Sequence, residues 1–158
     1  MSGLVLLACG SSGLTLAHLP VLRDFVRRFA GYPGAILVYG AGDARKSDAP
    51  EAFGADRLWE VAASLEWPWF QVGDVERFPA NWKGWGSKAG PMRNEFMRDR
   101  CMELARDGAV VRWVAAHTDP NLGKGTRHMV SLCREQRWKG RVLLLDPAGP
   151  LRSEEAVS

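Results

Sequence analysis

The chain is poor in the residues that build metal centres. It holds three histidines and three cysteines, Cys9, Cys101 and Cys133. None of them falls into a C-x-x-C, H-E-x-x-H or comparable ligand spacing. No metal site and no cofactor are therefore expected. An odd number of thiols in apolar stretches gives no disulfide framework and fits a reduced, cytoplasmic protein. Cys9 ends an apolar strand beside a glycine turn, which leaves a nucleophilic role as the alternative to a buried thiol. No run approaches the roughly 18 apolar residues of a membrane span. Leu6-Leu7-Ala8-Cys9 looks like a lipoprotein cleavage box, but the residues before it carry no basic segment and no apolar core. Charge of one sign is also scarce. With 21 Lys+Arg against 18 Asp+Glu the net charge is +3, too little to argue for a nucleic-acid partner.

What the 158 residues do contain is an alternation. Leu4–Cys9 is a continuous apolar run, too short for a core helix, and reads as a buried parallel strand. A helical stripe follows with Leu19, Leu22, Val26 and Phe29. Further strands are expected at Ala35–Tyr39, Trp69–Val72, Val110–Ala116 and Arg141–Leu145. Helices are expected from Gly54 (apolar face Leu58, Val61, Ala62 and Leu65), from Pro91 (Met97, Cys101 and Leu104) and over Gly125–Gln136. Asp43–Phe53 and Gly73–Gly90 read as loops, and residues 151–158 as a flexible tail. The expectation is a single α/β domain over residues 1–150, Rossmann-like, with a mainly parallel five-stranded sheet and helices on both faces.

In such sheets ligands bind beyond the carboxyl ends of the strands, and the turns there are rich in glycine and polar groups. Gly86-Ser87-Lys88-Ala89-Gly90-Pro91-Met92-Arg93-Asn94 combines a glycine turn, a proline suited to a first helical turn, and basic residues at the positive end of a helix. Lys88, Gly90 and Arg93 are thus candidates for holding a phosphate. Gly123-Lys124-Gly125-Thr126-Arg127 repeats the device. Gly10-Ser11-Ser12-Gly13, after the first strand, is either an ordinary tight turn or a phosphate cradle. It matches neither G-x-G-x-x-G nor the P-loop. Gly40 and Gly42 end the second strand. Asp56 either favours the dipole of its own helix or meets a ribose hydroxyl. Trp82 either stacks on a base or seals its loop. His117 and His128 read as structural, with a catalytic role as the alternative, and His18 has no evident partner.

Three of these motifs together resemble one family. They are Gly54-Ala55-Asp56-Arg57-Leu58; Asn81-Trp82 with Ala89-Gly90-Pro91-Met92-Arg93-Asn94 and Met97; and Gly123-Lys124-Gly125-Thr126. In this order they look like the YspA-type branch of the SLOG superfamily, which includes LOG-type phosphoribohydrolases and DNA-processing proteins. The resemblance runs from about Ile36 to Leu145. It implies a nucleotide or nucleotide-derived small molecule at the strand ends, handled as a signal or sensed. It also offers N-glycosidic hydrolysis of nucleoside monophosphates as an alternative, and single-stranded nucleic-acid binding as a remoter one. The LOG-type signature P-G-G-x-G-T-x-x-E requires a glutamate where this chain has Met129. Hydrolysis would then need a carboxylate from elsewhere, with Asp56, Glu95 and Asp119 as candidates. Relatives commonly pair, and Trp59, Trp138 and Phe96 exceed what one small core needs. A symmetric homodimer with Trp59 near its interface is the resulting expectation.

Overall fold

A computed structural model describes residues 3–40, 53–70 and 75–158 of the chain. Six strands form one sheet: β1 (Leu4–Gly10), β2 (Ile36–Tyr39), β3 (Val75–Arg77), β4 (Val110–His117), β5 (Lys139–Leu145) and β6 (Leu151–Val157). Their order is β3-β2-β1-β4-β5-β6, with the first five parallel and β6 antiparallel. The unbroken apolar run of β1 has a direct cause in this arrangement. Leu4, Leu6 and Ala8 enter one core while Val5 and Leu7 enter another on the opposite face.

The helices divide between those two cores. α1 (Leu19–Arg27) and α2 (Ala55–Glu66) cover the first, with Leu22, Phe25, Val26, Leu58 and Trp59 buried there. α4 (Ala89–Arg106) and α5 (Gly123–Glu135) cover the second through Met97, Cys101, Met129 and Cys133. A short α3 (Trp82–Trp85) and a 3₁₀ turn (Gly86–Lys88) lead into α4. Each parallel crossover brings the N-terminus of its helix to the carboxyl edge of the sheet.

Four sequence expectations change. The third strand is Val75–Arg77, paired with Leu37–Tyr39, and not Trp69–Val72. Trp69 and Phe70 belong to the turn after α2, where Trp69 stacks on Trp67 at 5.5 Å and its indole donates to Ala35 O at 3.1 Å. That aromatic run is core packing. Gln71 and Val72 lie outside the described residues, as does most of the loop expected over Asp43–Phe53.

The expected tail is instead the sixth strand. β6 pairs with β5 from Gly140↔Val157 to Leu145↔Leu151. Its ladder needs no apolar pattern, and Glu154 is gripped by Arg28 at 2.6 Å. The helix expected from Pro91 begins at Ala89, and the irregular stretch before it is partly helical. Trp59 is the fourth correction. The buried stripe of α2 is Ala55, Leu58, Trp59, Ala62 and Ala63, so Trp59 is 0% exposed while Leu65 faces solvent. A stripe that runs i, i+3, i+4, i+7, i+8 from Ala55 rotates the helix by one position from the predicted face. Trp59 therefore belongs to the core of this chain and cannot line an interface.

Candidate functional site

The carboxyl edge is built around the reversal of strand order between β1 and β4. Gly10 ends β1 with its Cα wedged between the Ala116 carbonyl and the Ala55 methyl, leaving no room for a side chain. The Ser11 N–H donates to Ala116 O, and Ser11 O accepts from the Ala55 N–H, both at 2.9 Å. The Ser11 hydroxyl accepts from the Gly13 N–H at 3.0 Å. Ser11 thus spends its polar atoms on fastening β1, β4 and α2 together, while Ser12 stands exposed. Trp59 adds to that fastening from below, its indole N–H donating to Cys9 O at 3.0 Å.

Next to this knot, Arg93 and Asn94 join four chain segments. Arg93 Nη1 donates to Gly40 O at 3.1 Å and lies 4.0 Å from Asp56 Oδ2. Arg93 Nε donates to Asn94 Oδ1 at 3.0 Å. Asn94, only 6% exposed, reaches α5 with its Nδ2, at 3.2 Å from both Gly125 O and His128 Nδ1. A Cβ at Gly40 would run into the Arg93 guanidinium and come within 2.9 Å of Asp56 Oδ2, so a larger residue there has to displace those side chains. The ends of β2, α2, α4 and α5 are therefore tied through one arginine–asparagine pair.

Donor and acceptor logic fixes the rest of this network. The Gly125 carbonyl only accepts and Arg93 Nε only donates, so the Asn94 amide has a single consistent orientation. His128 Nδ1 must then accept, which puts the ring proton on Nε2. The same reasoning applies to His117, whose Nδ1 accepts from the Asp119 N–H at 2.9 Å. It applies again to His18, where Nδ1 accepts from the Thr15 N–H and Nε2 donates to Asp146 O, both at 2.9 Å. All three imidazoles share one neutral tautomer. Burial holds His117 below its ordinary range, against a smaller opposing pull from Asp119.

The remaining candidates distribute unevenly. Gly123 opens α5 with φ +66° after Leu122, also left-handed at +64°. Thr126, in the first turn of α5, is 7% exposed. Lys88 and Lys124 are exposed at the same edge. Gly90 lies in the first turn of α4, but the Lys88–Ala89 junction is already helical and the Ala89 N–H donates to Gly86 O. The free helix start expected at Gly90 is thus preceded by a 3₁₀ turn. Trp82 covers Gly90, its ring edge 3.1 Å from where a Cβ would sit, and keeps 42% of its surface exposed. Gly42 lies outside the described residues.

Of the three candidate carboxylates, Asp56 joins the Arg93 cluster. Glu95 faces solvent, and Asp119 is held in its own turn by the Asn121 N–H at 2.8 Å. Met129 is buried in the α4–α5 core. Burial and the nearby Asp56 push the Cys9 thiol up to about 12, which disfavours the nucleophilic alternative. Among the described residues, no group of His, Cys, Asp and Glu could hold a metal ion, and no helix is long and apolar enough to cross a membrane. His117, at the end of β4, and His128, bonded to Asn94, also stand at this edge. Position at a strand end and one turn into a helix was the available signal for them. Compared with family models, curated proteins and solved structures, the chain gives no match.

Proposed function

We propose that this protein binds a nucleotide or nucleotide-derived small molecule at the carboxyl edge of a Rossmann-like sheet, as a sensor or signal-handling protein. The observation that carries the reading is the Arg93–Asn94 tie, which gathers Gly40, Asp56 and Gly125 where the strand order reverses. The first turn of α5, with Lys124 and Thr126, suits a phosphate. Asp56 suits a ribose hydroxyl, and Trp82 stands at the rim beside Gly90. The motif resemblance to the YspA-type SLOG branch points the same way. Thermal-shift screening against nucleoside monophosphates, cyclic nucleotides, NAD and ADP-ribose tests it. At least one ligand raises Tm, and Arg93→Ala abolishes the rise; a panel with no stabilising member sinks the reading.

Hydrolysis of the N-glycosidic bond is the second reading, and one observation favours it: the Asp56 carboxylate lies beside the Arg93 guanidinium. With Met129 buried where the LOG-type glutamate would act, Asp56 is the carboxylate left to stabilise an oxocarbenium-like centre. Free base released from a nucleoside monophosphate, and lost in Asp56→Asn, is the expected result. Release that persists in Asp56→Asn rejects that assignment. Pairing into a homodimer is a separate expectation, now resting on Phe96, which is exposed on α4. A 17.5 kDa species in light scattering refutes it.

A further inference from the structure

Among the described residues, His117 differs from His18 in one respect. Both rings accept a backbone N–H at Nδ1 and carry their proton on Nε2. For His18 that proton is used on Asp146 O. For His117 the Nε2 has no hydrogen-bond partner among the described residues.

The surroundings of that nitrogen are specific. His117 ends β4 at the carboxyl edge. Its Nε2 stands against the first residue of α5, 3.2 Å from the position a Cβ on Gly123 would take. Glycine is favoured there by φ +66°, and a Cβ would press on the imidazole. One turn further along the same helix face sits Thr126, 7% exposed, whose hydroxyl also makes no hydrogen bond among the described residues. Two polar donors are thus kept at the start of a helix whose own first N–H groups carry partial positive charge.

We propose that His117 is a ligand contact, its Nε2–H donating to an oxygen of a phosphate group held at the first turn of α5. The assignment rests on the nucleotide-binding reading for the identity of the ligand, but not for the phosphate chemistry. Burial keeps the ring uncharged near pH 7, so it offers a directed donor and leaves the positive charge to Lys124 and the helix end. Thr126 supplies a second donor from the same face.

The chain has only three histidines, so a ¹H–¹⁵N imidazole spectrum of the intact protein resolves each ring. Titrating inorganic phosphate at neutral pH moves the His117 Nε2 resonance saturably and leaves His18 still. Two variants separate contact from scaffolding. His117→Asn keeps an acceptor for the Asp119 N–H but is too short to replace Nε2, and it weakens phosphate binding by about tenfold. His117→Gln carries an amide donor out to the Nε2 position and recovers most of that loss. A His117 resonance that stays still under phosphate, or an Asn variant that binds like wild type, overturns the assignment. The thermal-shift panel separates the two ideas. A nucleotide that stabilises the protein without moving His117 defeats the contact and leaves the binding reading intact. Phosphate that moves His117 when no nucleotide stabilises the protein does the reverse.

Discussion

The two faces of the sheet are held in different ways. On the α1/α2 face, aromatic rings do the packing and their polar atoms lock to the main chain. Trp59 meets Phe25 edge-on at 6.0 Å and donates to Cys9 O. Trp67 donates to Val26 O at 2.8 Å, and Trp69 to Ala35 O. On the α4/α5 face, the helix residues facing the sheet are Met97, Cys101, Met129, Val130, Leu132 and Cys133. These are softer, unringed groups, and the two helices are joined at the carboxyl edge by the Asn94 amide. Rings with directed hydrogen bonds have few alternative arrangements, whereas methionine and a single amide have several. The sheet adds one such ring to the second face, Trp113 of β4, which donates to Trp138 O at 2.8 Å. The contrast therefore lies in the helices: α1 and α2 are expected to form the more fixed wall of the carboxyl edge, α4 and α5 the more adjustable one, with the Arg93–Asn94 pair between them.

The sharpest way to break this contrast is Trp59→Ala. Removing a fully buried indole, its edge contact to Phe25 and its bond to Cys9 O should cost about 3–5 kcal/mol in denaturant unfolding. A loss near that of a surface substitution would mean that the α1/α2 wall is no more fixed than its opposite. Asn94→Leu probes the other wall. It strands Arg93 Nε and His128 Nδ1, with an expected loss of about 1–3 kcal/mol, and it should reduce ligand-induced stabilisation more than it reduces Tm. Equal reductions would make Asn94 a packing residue only.

Thiol reactivity sharpens the comparison without any mutation. Burial pushes the Cys101 thiol up to about 12 and raises Cys133 as well, so both are silent in the closed state. A thiol reagent under native conditions should therefore report opening of the α4/α5 face. Labelling of Cys101 and Cys133 in Asn94→Leu should be several-fold faster than in wild type, and an unchanged rate would count against an adjustable wall.

A smaller effect follows from His117. Its pKa is lower in the folded chain than its ordinary value of about 6.5. The unfolded chain therefore takes up a proton first as pH falls. The stability tied to the neutral ring is complete above about pH 6.5 and declines as pH drops toward the lowered value. His117→Gln should flatten Tm over that interval, while the stability held by Glu66, kept low by Arg27, is lost only as pH falls through the more acidic carboxylate range. The smallest effect is expected at Arg28→Ala. Its pair with Glu154 is bidentate but half-exposed, so the loss should stay below about 1 kcal/mol.

Strands whose side chains enter both cores were legible, because burial on two faces leaves an uninterrupted apolar run, as in Leu4–Cys9 and Val142–Leu145. β6 was not, since Leu151–Val157 is an edge strand stabilised by a backbone ladder and by Arg28–Glu154, neither of which leaves a period in the sequence. The α2 stripe was misread by one position because Trp59 sits between Leu58 and Glu60, and both phases share Leu58 and Ala62. At the edge, glycine turns announced themselves. The partners of Arg93, Asn94 and the imidazoles did not, because Gly40, Gly125 and Asp119 come to them from other elements or through a turn. Chemistry that depends on which lone pair is occupied is settled by tertiary contact.

The antiparallel return of β6 has a practical consequence. Because Val157 runs back to pair with Gly140 at the start of β5, and Leu4 begins β1 opposite Val110, the first and last described strands meet solvent at the same pole. The glycine turns lie at the other pole. A tether, fluorophore or fused reporter attached at either of these strand ends points away from the turns. Surface-immobilised or fluorescent forms of this chain are thus built with the glycine-turn edge facing the sample.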